Sequence, residues 1–110
     1  MVVEKNEDII LLKCDEPTVS DFFIVFNENY SNFEGANVII DFSGLKGVQT
    51  ENISLFLEFS EKHRDDGTSF VVVLNGINLN NFPEEIMIVP TVQEAKDIIE
   101  MEKIERDLGF

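Results

Sequence analysis

Val38-Ile39-Ile40-Asp41-Phe42-Ser43-Gly44-Leu45 is the stretch on which the fold turns. Val38, Ile39, Ile40 and Phe42 form a short β-branched and aromatic run with no polar alternation. Such a run suits a strand covered on both faces. Asp41 stands at its carboxyl end. Ser43 to Gln49 then reads as a loop, with glycines at 44 and 47. A strand of this kind needs neighbours on both sides and helices above and below, and the flanking sequence supplies candidates for each.

Upstream, residues 2 to 13 predict two short strands around a polar turn, Lys5-Asn6-Glu7-Asp8. Ile9 to Leu12 is another continuous apolar run. Pro17 marks a helix start, with Thr18 or Ser20 as the cap. Val19, Phe22, Phe23, Phe26, Tyr30 and Phe33 recur at three- and four-residue steps, which is one face of a helix. Ile24 and Val25 fall off that stripe and either meet a second layer or face solvent.

Downstream, a second helix is expected from about Thr50 to Arg64, with Ile53, Phe56, Leu57 and Phe59 inward and Asp65-Asp66-Gly67 as its stop. Phe70 to Leu74 is a further buried strand. Asn75 to Pro83 is a polar loop with four asparagines, and Ile86 to Val89 a last strand closed by Pro90. Thr91-Val92-Gln93-Glu94 has the form of a capping box for a final helix to about Leu108. The order ββαβαββα predicts one α/β domain over residues 1–110. Its sheet is mixed and mostly parallel, and an N-terminal antiparallel hairpin adds an edge.

The chain has 110 residues and a net charge of −14, from 22 acidic and 8 basic side chains. That balance works against nucleic acid, whose phosphates call for Lys and Arg. It also works against an anionic membrane surface and favours a protein partner with a basic face. The single cysteine, Cys14, allows no internal disulfide. MVVEKNED turns polar too early for a signal peptide, and no apolar run is long enough to span a bilayer, so the expected location is cytoplasmic.

The order and joints resemble the STAS domains, the family of sulfate-transporter C-terminal domains and anti-sigma-factor antagonists. Val38 to Leu45 is similar to that family's strand followed by Asp-Leu-Ser-Gly-Val. Gly67 before the valine-rich strand fits its next joint, and Pro90-Thr91-Val92-Gln93-Glu94-Ala95 fits the opening of its last helix. The resemblance covers about residues 37–100. It implies a non-catalytic regulatory module that binds a kinase or an anti-sigma-like regulator. In the antagonist branch the second helix opens with Asp-Ser-Ser-Gly, whose first serine is phosphorylated. The matching residues here are Gln49-Thr50-Glu51-Asn52, so the resemblance makes Thr50 the candidate phosphoacceptor and Gln49, Glu51, Asn52 and Ser54 its candidate partner-binding neighbours. Gln49 departs from the aspartate and Asn52 from the glycine.

Other chemistry finds less support. The plain reading of Thr50 is the helix N-cap. His63 is the only histidine, expected on the surface at the polar end of the second helix, near the C-terminal dipole. One histidine does not make a metal site, and no cofactor is assigned. Cys14 with His63 as nucleophile and base has no local signature, and the plain reading of Cys14 is a small core residue. Glu94, Asp97, Glu102 and Glu105 read as a solvated face. Met101, Ile104, Leu108 and Phe110 are candidates for an apolar docking edge rimmed by acids. Two alternatives remain: a small nucleotide-binding protein or enzyme using Ser43 to Gln49, and a structural homodimer.

Overall fold

A computed structural model describes residues 1–76 and 81–109 and sets the run around Val38 at the middle of a five-stranded sheet. Its strands are β1 (Val2–Asn6), β2 (Ile9–Lys13), β3 (Asn37–Asp41), β4 (Phe70–Val73) and β5 (Met87–Val89), side by side in that order. β1 pairs antiparallel with β2, and the other pairs are parallel. The helices are α1 (Val19–Asn29), α2 (Thr50–Ser54), α3 (Leu57–Asp65) and α4 (Val92–Asp107). Phe110 and much of the asparagine-rich loop, residues 77–80, lie outside the described residues.

Register explains why the strands carry no polar alternation. One row across the sheet reads Val3, Leu12, Ile40, Val72, Ile88. The next reads Glu4, Leu11, Ile39, Val71, Met87 and faces the other way. Leu12, Ile40, Val72 and Ile88 join Phe22, Phe26, Phe42, Ile53 and Phe56 in the larger core, beneath α1, α2 and α3. Leu11, Ile39, Val71, Val73 and Val89 meet Ala95 and Ile99 of α4 in the smaller one. Both faces of β3 are therefore dry.

The larger core is aromatic. Phe26 is fully buried, with the rings of Phe56 and Phe59 edge-on at 5.3 and 5.0 Å, Phe33 stacked at 6.0 Å and Phe70 edge-on at 6.3 Å. Edge-on pairs place the positive rim of one ring on the negative face of another, which adds to the gain from burial. Thr18 caps α1 by accepting from the Asp21 N–H at 3.1 Å. Of the two off-stripe residues, Ile24 is exposed and Val25 half-buried.

Three expectations need correction. The stripe from Val19 to Phe33 is not one α-helix, because α1 ends at Asn29 and a 3-10 turn carries Tyr30 to Asn32. The second helix is also divided. The Ser54 hydroxyl donates to the Thr50 carbonyl at 3.0 Å, and the Phe56 N–H reaches back only to Ile53, at 3.0 Å. Hydroxyl back-bonding of this kind bends helices. The tightened turn at Leu55-Phe56 still buries both Ile53 and Phe56 fully.

The third correction concerns His63, which is fully buried rather than exposed. Its Nδ1–H donates to the Ala36 carbonyl at 2.9 Å, with the Thr68 hydroxyl at 3.0 Å. Its Nε2 accepts from the Tyr30 hydroxyl at 2.7 Å. Burial favours the neutral imidazole, and in that form Nδ1 carries the proton because the Ala36 carbonyl can only accept. Desolvation lowers its pKa, against the opposing pull of the Ala36 carbonyl, Asp66 and Glu34. The helix reading failed because Tyr30, Ala36 and Thr68 come from other elements. Among the described residues, no buried side-chain nitrogen or oxygen lacks a hydrogen-bond partner.

Two outcomes follow. Phe26→Ala should lower unfolding free energy by about 3–5 kcal/mol in urea titration, the usual cost of emptying a buried aromatic site. A loss under about 1 kcal/mol would contradict the packing described. His63 should make stability fall as pH drops below about 6.5, because the unfolded chain then binds a proton that the folded chain refuses. Urea midpoints measured at pH values on either side of 6.5 should therefore fall further for the wild type than for His63→Gln, and equal falls would refute the assignment.

Candidate functional site

The loop after β3 is held by its own residues. The Asp41 carboxylate accepts from the Ser43 N–H at 2.9 Å, and the Leu45 N–H donates to the Phe42 carbonyl at 2.9 Å. Gly47 has φ 70°, a conformation that suits glycine. The chain then enters α2, whose N-cap is Gln49 and not Thr50. The Gln49 N–H donates to Asn52 Oδ1 at 3.0 Å, which is one arm of a capping box. Asn52 thus has a local structural use that its departure from glycine did not suggest.

Thr50 is the first residue of the helix, half-buried, and its hydroxyl donates to the Asn81 carbonyl. The accessible groups around it are Gln49 and Glu51, both exposed. Ser54 turns inward to the Thr50 carbonyl. Beside them lies a cleft of about 460 Å³, lined among others by Thr18, Ser20, Lys46, Gln49 and Asn52. It opens at the carboxyl ends of β2 and β3. Among the described residues that line it, Lys46 is the one cation, and the other polar groups are hydroxyls and amides.

Cys14 and His63 are not brought together. Cys14 follows the carboxyl end of β2, where its Sγ donates to the Glu16 carbonyl at 3.6 Å. Burial pushes its thiol pKa up, away from the thiolate that a nucleophile needs. His63 lies at the opposite end of the sheet, against Ala36 and Thr68, which precede β3 and β4. Among the described residues, no three His, Cys, Asp or Glu side chains are grouped to hold a metal ion. Among the same residues, no helix is long and apolar enough to cross a membrane.

The second set of candidates is on α4. Thr91 caps this helix by accepting from the Glu94 N–H at 3.1 Å. Ala95 and Ile99 are fully buried against the sheet. Lys103 reaches Asp8 in the hairpin turn at 2.9 Å, and Arg106 donates to the Ser69 hydroxyl at 3.3 Å. At about 100° per residue, Met101, Ile104 and Leu108 fall on the opposite side of the helix. They are 51%, 54% and 68% exposed. The apolar residues of this segment thus divide between an inner face, with Ala95 and Ile99, and an outer one. Phe110 lies outside the described residues.

The two sets do not meet. Thr50 and its neighbours follow the carboxyl end of β3, on the side of the sheet under α1 and α3. The α4 stripe lies near the amino ends of β2 and β4, on the other side. The sequence reading missed a third feature, a cleft of about 330 Å³ that includes Arg64 and Arg106, the chain's two arginines. Four glutamates, Glu84, Glu85, Glu102 and Glu105, line the same cleft. Arg64 is engaged by the Glu85 carbonyl at 2.6 Å and Arg106 by Ser69. Sixty-four and 106 are far apart in the chain, so no local signal linked them.

No protein-family model matches this chain, and no curated protein matches it.

Proposed function

We propose that this domain is a non-catalytic regulatory module that binds another protein through the outer face of α4. The observation that carries this reading is the stripe of Met101, Ile104 and Leu108, each more than half exposed on a helix whose other side buries Ala95 and Ile99 fully. Large apolar side chains grouped on a rigid surface favour contact with a partner, since covering them removes apolar area from water. A basic partner fits the acidic surroundings and the charge of −14. The likeness of residues 37–100 to STAS domains supports a regulatory protein-binding module of the antagonist kind, though its signature falls at residues 49–52 and not on α4.

Thr50 belongs to a different face. A phosphoryl group there would remove the hydroxyl donor that holds the Asn81 carbonyl and would add about two negative charges. It would act on contacts around Gln49, Glu51 and Asn52. It would not touch the α4 stripe directly. A second reading, a small nucleotide-binding protein, draws on the cleft beside Lys46. A thermal-shift series with nucleotides and divalent metals tests it, and a flat series would count against it.

Quantitative capture from native extract tests the main reading. A protein retained by the wild type should be lost with Ile104→Asp and with Leu108→Asp. It should be kept by Ile24→Asp, an exposed apolar control on α1. Equal retention by all three variants would refute the α4 surface. Thr50→Glu should leave α4-dependent capture unchanged and weaken only partners that contact residues 49–52.

A further inference from the structure

The spacing on α4 says more than that the stripe is apolar. Met101, Ile104 and Leu108 step by three and then four residues, which is the a, d, a sequence of a coiled-coil seam. With Met101 at a, Arg106 falls at f, the position farthest from a seam. Arg106 is the side chain that reaches inward to Ser69. The heptad numbering and the packing of the helix therefore agree. The seam faces away from the domain, and its two apolar turns are open.

The flanking positions set what can lie there. Glu100 and Asp107 occupy g, and Glu105 occupies e. All three are exposed. Glu100 has Lys103 at 3.8 Å on its inner side, and no cation pairs with Glu105 or Asp107 among the described residues. In a parallel pair of this chain's helices, Glu105 would face an acid at g. In an antiparallel pair, Glu105 would face Glu105 and the g acids would face one another. Like charges beside a seam oppose pairing in either direction. The same carboxylates attract Lys or Arg at the matching positions of a different helix.

We infer that the outer face of α4 pairs with an amphipathic helix of a partner protein, one with aliphatic residues along its seam and Lys or Arg on both flanks. This rests on the protein-binding reading above and names the class of partner for that same surface. The exposed seam is short, so the contact is of the weak and reversible kind, with charge deciding which helix is accepted. A second copy of the chain is the occupant that the charges disfavour most.

The probe is a synthetic helix of about three heptads with Ile at a, Leu at d and Lys at e and g. Its control is the same peptide with Glu at e and g. The lysines keep the probe from pairing with itself and leave it free to bind. Fluorescence anisotropy with the full chain should show the Lys-flanked peptide binding at least about tenfold more tightly than the Glu-flanked one. Reversing Glu100, Glu105 and Asp107 to Lys should invert that preference. Reversing Glu58, Glu61 and Asp65 on α3 changes net charge equally and should preserve it. Circular dichroism checks that each variant is folded, and the comparison of the two peptides on the wild-type chain needs no variant.

Equal binding of the two peptides overturns the inference. So does a loss of preference in the α3 variant as large as in the α4 variant, which would mark a general polyelectrolyte effect. Self-association of the wild type that Ile104→Asp abolishes would assign the seam to a second copy and also overturn it. A native partner lost with Ile104→Asp, when the Lys-flanked peptide does not bind, removes this inference and leaves the proposed function standing. Native capture indifferent to Ile104→Asp removes both.

Discussion

The aromatic layer between the sheet and its first two helical segments is the constraint from which the rest of the structure follows. Phe22 and Phe26 from α1, Phe56 from the turn before α3, and Phe42 and Phe70 from the ends of β3 and β4 fill one continuous space. Burying a phenylalanine gains about 1.5–3 kcal/mol, and each well-placed ring pair about 0.5–1.5 kcal/mol more. These gains accrue only when α1, β3, α3 and β4 adopt one arrangement together. The layer therefore fixes the spacing of the helices, and through it the loop from Ser43 to Gln49.

Polar groups at the margin of the layer make that arrangement specific. His63 holds a fully buried position near the end of α3, and its ring joins α3 to Tyr30 and to the approaches of β3 and β4. Asn37 does similar work nearby, accepting from the Ser69 N–H at 2.8 Å and donating to Asp8 at 3.2 Å. A buried polar group without partners costs about 1–3 kcal/mol, so a shifted helix or strand would leave both residues unsatisfied. These bonds select one packing among several that the phenylalanines alone would tolerate.

The opposite face of the sheet is covered differently, and this asymmetry exposes the outer side of α4. α1, α2, α3 and the segment through Phe82 and Ile86 close the first face, while among the described residues α4 alone lies over the second. A helix with no layer above it buries one side and shows the other. On α4 the inner side carries Ala95 and Ile99, and the outer side carries Met101, Ile104 and Leu108. In a soluble helix that outer side is ordinarily polar. Here it is apolar over its last turns and acidic on both flanks. The acids favour solubility, and in the proposed docking they would select the charge of the partner.

The sequence by itself determined the class of fold, because the signals that set it are local. Unbroken apolar runs at Ile9, Val38 and Phe70, caps at Thr18 and Thr91, and breaks at Pro17, Gly67 and Pro90 each act within a few residues. Composition likewise set the acidic character. What only the tertiary structure decided depends on partners distant in the chain. His63 is buried because Tyr30, Ala36 and Thr68 surround it. Thr50 yields the cap to Gln49 and turns its hydroxyl to Asn81. The apolar residues of α4 divide into a packed side and an open side only once the sheet is in place beneath them. A helical period shows that two faces exist, but which one meets water is set by contacts that the period does not contain.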